Sequence, residues 1–491
     1  MRTIRRPSVL VKGKLRYWLA AVAALAAAGL VWLTRHAPPF REVSDGAILE
    51  IYTLEALRGR LLVGPYSRFG WHHPGPLYLY LEAPWYWLSG RHTAGMQAGA
   101  LALNLAAAVA IARTAAAHAT TASAAALCAG LAWYTWRTGD MIVSPWNPHV
   151  IVLPLVACTV LAAAFAASGR RALLPWLVLA GSFLVQTHIA MAPPVTVLAA
   201  AACAAQPAAV RSGWRAAAGM ALAVWLPVIL EQATRQPGNV TRIVSFFTTP
   251  SDVQTFRAAA AAWSSALTGA FAPDFAVALG FDLRPVDSVW PPVWSGVAIA
   301  LLAVAALRAR ARRDSFAMWL AVMGALTSAI ALAAASRIRG RIVDHEVFWM
   351  SALGVIDAAA IVGALARRGR HEKAGIVVAS AAVVFAAAIG FAGMRHVLAR
   401  PRTVDDHSVD VVAAAIERYA AAGMRRPLVH IEPQIWPITA GALLLADKNG
   451  LAFAVDDRWS TMFGEPFERN GREDGEVTIG GSPRQPTISA R

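Results

Sequence analysis

The stretch RARARRDSFAMWLAVMGALTSAIALAAASRIRGR, residues 308–341, decides the architecture. Its middle, 315–336, carries no charged side chain, and a bilayer core takes about 20 such residues as one helix. Arginines crowd both ends, so the run reads as a membrane span. The same pattern recurs near 17–34, 94–112, 119–136, 149–168, 172–188, 192–206, 216–230, 291–307, 346–366 and 374–394. The expectation is an all-α polytopic membrane protein of about 11 transmembrane helices, followed by a small C-terminal α/β domain.

Composition agrees. Of the 491 residues 57% are apolar and 15% charged, against roughly 25% charged in a soluble domain. Cys128, Cys158 and Cys203 all fall in apolar stretches, which excludes a disulfide scaffold, a zinc knuckle and a C-x-x-C redox site. The net charge of +16 would suit nucleic acid if it formed one patch. Instead it falls at alternate span ends: before the first span, at Arg113, Arg170, Arg171, Arg211 and Arg215, at Arg308 to Arg313, and at Arg367 to Lys373. Positive charge of this kind stays inside. The N-terminus is therefore expected in the cytoplasm, the C-terminal domain outside, and no nucleic-acid partner. The basic N-terminus also has signal-peptide features and is read as a retained anchor.

The domain reading is a membrane domain at 1–394, an extracytoplasmic α/β domain at 395–470 and an unordered tail at 471–491, where Gly, Arg, Glu, Pro and Ser dominate. External loops at 35–93 and 231–290 interrupt the first part. In the first, Ile48, Ile51, Tyr52, Leu54, Glu55 and Leu57 suit an amphipathic helix at the interface. Trp71, Tyr78, Tyr80, Trp85, Tyr86 and Trp87 suit an aromatic belt at headgroup level. Pro237, Gly238 and Asn239 mark a turn in the second.

Chemistry is sought at the outer span ends. Asp45 follows the first span closely, flanked by Glu42 and Glu50, where a carboxylate can reach headgroups and water. The block YSRFGWHHPGP, 66–76, sets Arg68, His72 and His73 among residues that fix backbone direction. Adjacent histidines lack the i, i+4 spacing of a helical metal clamp, so hydrogen bonding to a sugar or phosphate competes with a purely structural turn. Asp140, His188, Glu231, Asp344 and His345 lie on the same side. Arg337, Arg339 and Arg341 alternate in SRIRGRIVDHE and suit a phosphate or lipid headgroups. Asp357, mid-span, reads as an interhelical polar contact or a proton relay.

These features together resemble the GT-C-type membrane glycosyltransferases. The match rests on the many spans, an acid soon after the first one, and an external C-terminal domain; the strings GPYSRFGWHHPGP, SPWNP, QTH and PGN are similar to those of multispanning proteins of high-GC bacteria placed near that superfamily. The resemblance implies transfer of a sugar from a polyprenyl-phosphate donor to a cell-envelope glycan, lipid or protein at a bacterial plasma membrane. Asp45 would be the general base, and Arg68, His72, His73, His188, Arg337, Arg339 and Arg341 would bind the donor phosphate or sugar. Gly46 stands where many relatives carry a second acid; Glu50, Asp140 and Glu231 are the candidates to replace it. No metal or other cofactor is expected. The competing readings are a transporter or flippase of lipid-linked precursors and a non-catalytic scaffold.

Overall fold

A computed structural model describes residues 24–272, 290–366 and 371–490. The basic residues Arg2 to Arg16, Arg367, Arg368 and Arg370 lie outside the described residues, as do the start of the first expected span and 273–289 of the second external region.

Within the described residues the apolar runs are helices because nothing else satisfies a backbone in lipid. They are α1 (Ala24–Arg35), α4 (Ala94–His118), α5 (Thr121–Thr138), α6 (Asn147–Ser168), α7 (Arg171–Thr187), α8 (Ile189–Ala205), α9 (Pro207–Thr234), α12 (Pro292–Ala311), α13 (Ser315–Ser336), α14 (Asp344–Leu365) and α15 (Lys373–Leu398). Seven of them are long and apolar enough to cross a membrane, and α1, α7 and α8 are shorter apolar helices. The external segments add α2 (Ser44–Leu57), α3 (Leu77–Leu88), α10 (Asn239–Thr248) and α11 (Phe256–Gly269). Small residues let these helices approach closely. A side chain at Gly354 of α14 would collide with the Leu267 carbonyl of α11.

Asp357 is fully buried and accepts a hydrogen bond from Ser328 Oγ at 2.7 Å, joining α14 to α13. This is the interhelical contact of the two alternatives.

The C-terminal domain comprises α16 (Val404–Ala421), β3 (Leu428–Ile431), α17 (Trp436–Lys448), β4 (Ala454–Val455), α18 (Asp457–Phe463), β5 (Glu476–Ser482) and β6 (Gln485–Ala490); the earlier strands β1 (Tyr66–Ser67) and β2 (Trp71–His72) form a separate hairpin. Thr403 and Asp406 cap α16 reciprocally, which satisfies two of its free N–H groups. The sheet order is β4-β3-β5-β6, parallel except for the antiparallel β5–β6 pair.

Two expectations fail here. The stretch from 471 is not an unordered tail: Val477 and Ile479 are fully buried, and β5 pairs with β6 from Val477↔Ala490 to Ser482↔Gln485. The alternating apolar positions of VTI outweigh the polar composition. Nor does α2 lie on the membrane surface. Residues Ala47 to Ala56 are all buried, charged ones included, because α3 covers one side and α17 of the C-terminal domain covers another. The aromatic belt is likewise mixed: Trp71, Tyr78 and Tyr86 are buried, and Trp87 is exposed.

Candidate active site

The first turn of α2 carries Asp45. Its N-cap Val43 offers no side-chain cap, and Ser44 holds a left-handed φ of 55°, a conformation costly for a residue with a Cβ and kept only where the surroundings enforce it. Just upstream, the Arg41 N–H donates to Asp406 Oδ1 of the C-terminal domain at 2.6 Å. Asp45 itself accepts from two other segments. Tyr66 Oη of β1 donates to one carboxylate oxygen, and Trp146 Nε1 donates to the other at 3.1 Å. Burial and the Asp45 charge push the Tyr66 phenol well above its ordinary range, so it stays a donor. Two donors still leave lone pairs on the carboxylate for a further partner.

Asp45 lines a cavity of about 860 Å³. Trp349, Met350, Ile330, Phe247, Trp436 and Met462 form much of its apolar wall. Arg68, His73, His188, Arg337 and Arg339 line it as well. The expected site residues from four separated stretches therefore share one chamber, and their roles differ. Arg68 is paired with Glu346 at 2.8 Å. Arg339 donates to the Phe246 and Thr249 carbonyls and stacks 4.0 Å from the centre of the Phe246 ring, which ties it to the C-terminal end of α10. Arg337 is exposed; its backbone N–H bonds the Ala334 carbonyl at 3.1 Å, and among the described residues its guanidinium has no hydrogen-bond or ion-pair partner.

His72 and Arg341 are not among the lining residues. The His72 ring turns to Tyr52 Oη at 3.1 Å, and Tyr52 donates on to the Met462 carbonyl at 2.8 Å. Burial lowers the His72 pKa to about 4, so the ring is a neutral tether to α18. Arg341 offers its carbonyl to Arg68 at 3.4 Å.

The three candidates for a second acid all lie away from the cavity lining. Glu50 is fully buried, bonded to Tyr86, Thr93 and Lys448. Asp140 pairs with His396 on the surface. Glu231 accepts the Asn239 N–H at the start of α10. Glu42 does not fill the role either. Its carboxyl lies against Gly46, where a Cβ would meet Oε2 at 2.5 Å, and it accepts from Gln97 at 3.1 Å. The carboxylate that does reach the cavity is Glu346, two residues beyond Asp344 in the quoted arginine motif. Among the described residues no group of three or more His, Cys, Asp or Glu is placed to hold a metal ion.

Tyr66, Trp146 and Glu346 are the site residues that sequence reasoning did not single out. Tyr66 and Glu346 lay inside quoted motifs. Trp146 had only the SPWNP string to point to it.

Comparison with known proteins bears on the fold. Neither a family model nor a curated protein matches the sequence. Among solved structures, ArnT from Cupriavidus metallidurans bound to undecaprenyl phosphate is similar, with a TM-score of 0.50 at 14% identity over 94% of this chain and 93% of that one. The apo state of the same protein gives a TM-score of 0.48 at 14% identity, covering 95% and 93%. The chain thus has a polytopic helical fold like that of ArnT over 94% of its length.

Proposed function

We propose that this chain is a membrane glycosyltransferase that moves a sugar from a polyprenyl-phosphate donor to a cell-envelope acceptor on the extracytoplasmic side, with the N-terminus in the cytoplasm. The observation that carries the reading is the shared cavity: a doubly oriented carboxylate, an arginine whose guanidinium has no partner among the described residues, and an apolar wall. A polyprenyl chain needs the wall, its phosphate needs the cation, and the acceptor hydroxyl needs the base. The ArnT structure holding undecaprenyl phosphate on a similar fold supports it.

In this mechanism Asp45 accepts the proton of the acceptor hydroxyl as that oxygen bonds to the anomeric carbon. The bond from that carbon to the phosphate oxygen breaks, and its electron pair leaves with the polyprenyl phosphate. Arg337, with Arg68 in the same lining, neutralises the charge that grows on the leaving group. A single displacement inverts the anomeric configuration.

The test uses membranes or nanodiscs containing the full chain and radiolabelled polyprenyl-phosphate sugars. General-base removal costs about 10² to 10⁴ in rate, so Asp45→Asn should lose transfer on that scale while inserting and purifying like the wild type. Full transfer by the variant would defeat the assignment.

A further inference from the structure

His73 and His188 come from different parts of the chain, the block before α3 and the single residue between α7 and α8. Their rings nevertheless lie against each other, 4.5 Å between centroids and tilted by 30°. Both are more than nine-tenths buried, at 6% and 9% exposure, and both line the cavity. Each ring is also locked in one tautomer. The Ile189 N–H donates to His73 Nδ1 at 3.1 Å, and the Ala190 N–H donates to His188 Nδ1 at 3.3 Å. A nitrogen that accepts carries no proton, so each ring is neutral and its single proton sits on Nε2. Burial and the neighbouring imidazoles also hold His73 well below the ordinary histidine range.

Two chemistries are excluded by this arrangement. A metal ion at Nε2 would require the proton to move to Nδ1, where it would oppose the backbone N–H already pointing there. A cationic pair for phosphate is excluded because neither ring can become an imidazolium without breaking its backbone bond. What remains is a pair of uncharged N–H donors beside Ile189, Ala190 and the edge of Trp71, whose ring lies 5.6 Å from His73. Neutral donors in an apolar niche match a neutral oxygen, since neither side brings a charge to desolvate.

We propose that His73 and His188 form a paired-donor subsite for hydroxyl oxygens of the transferred sugar, separate from the Arg337 edge that takes the phosphate. The proposal rests on the donor-lipid reading of the cavity and assigns the pair to selecting the sugar rather than holding the carrier. Uncharged hydroxyls are its ligands.

Asparagine is the informative replacement, because its Oδ1 sits where Nδ1 does and still accepts the backbone N–H, while the Nε2 donor is lost. The full chain, wild type and with His188→Asn or His73→Asn, is titrated in nanodiscs with bare polyprenyl phosphate and with polyprenyl phosphates carrying glucose, mannose or arabinose. Wild type should bind at least one glycosylated lipid more tightly than the bare one. Each variant should bind bare polyprenyl phosphate as wild type does and lose about tenfold of the sugar-dependent preference, the scale of one good hydrogen bond; His188→Gln, which keeps a donor, should recover part of it. Equal weakening for bare and glycosylated lipids would make the pair a phosphate site and overturn the inference while leaving the donor reading intact. No sugar-dependent preference in wild type would overturn it as well. Failure of wild type to bind any of the lipids would bring down the functional reading itself. Binding of Zn²⁺ or Co²⁺ that His188→Asn abolishes would also overturn it.

Discussion

Replacing Lys448 by Met should loosen the C-terminal domain from the helix that carries Asp45. Lys448 ends α17, and its ammonium pairs with Glu50, which is fully buried in the middle of α2. Glu50 also accepts from Tyr86 Oη at 2.8 Å and Thr93 Oγ1 at 3.2 Å, yet these neutral donors cannot balance a charge. Taking one partner from a buried ion pair costs about 3 to 5 kcal/mol. Both side chains lie on docking surfaces, so the cost appears as undocking rather than as unfolding of the spans. Because each 1.4 kcal/mol is tenfold in an equilibrium, the undocked population should rise by about two to four orders of magnitude. Limited proteolysis reads this population when opening and closing outpace cleavage. Lys448→Met should therefore be cut within 404–490 far faster than wild type, and Glu50→Gln with Lys448→Met should return most of the resistance. Equal cleavage rates for wild type and the single variant would refute the claim that the ion pair holds the domain on α2.

Other outcomes follow from the same geometry. Arg337→Met should weaken polyprenyl-phosphate binding about tenfold or more without lowering thermal stability, since among the described residues the guanidinium has no partner to lose; a stability loss with unchanged binding would contradict it. Arg339→Met should instead release α10, read as faster amide exchange over 239–248. Tyr66→Phe should lower kcat about tenfold with little change in KM, because the hydroxyl orients Asp45 rather than the lipid; an unchanged kcat would speak against that role. For Glu42, burial first and the Glu50 charge second push the pKa up from 4.5 to about 7. A raised folded-state value means that this contribution to stability is fully present below 4.5 and is lost as pH rises through about 7. Glu42→Gln should flatten that fall, so its melting temperature relative to wild type should be higher at pH 8 than at pH 5; parallel profiles would rule the effect out.

The spans were legible because an uncharged run of about 20 residues has few alternatives to a membrane helix. The α/β alternation of 404–455 was legible for a similar reason, as apolar periodicity switches from helical to extended around LVHI. The β5–β6 hairpin was hidden by composition: only Val477 and Ile479 point to the core from β5, and Gly, Pro and Arg surround them. The depth of α2 was hidden differently. Its charged positions read as a surface helix until Lys448 and Asp447 are known to stand opposite, and Arg58 at its C-terminal end meets Asp447 at 2.8 Å across 389 residues of chain. Within the site, Asp45 was marked by its place after the first span. Its partners Tyr66 and Trp146 lie 21 and 101 residues away, a distance that only the packing of α2 against the span ends closes. The arginine motif showed where cations would gather but not that Arg339 serves α10 while Arg337 stays open.

A cryo-electron microscopy map of the full chain in nanodiscs with added undecaprenyl phosphate tests the central claim most directly. The account predicts lipid density entering the cavity along Ile330, Trp349 and Met350, with its phosphate at Arg337 and within reach of the Asp45 carboxylate. Ordered lipid seated on another face, with this cavity empty at saturating lipid, would contradict it.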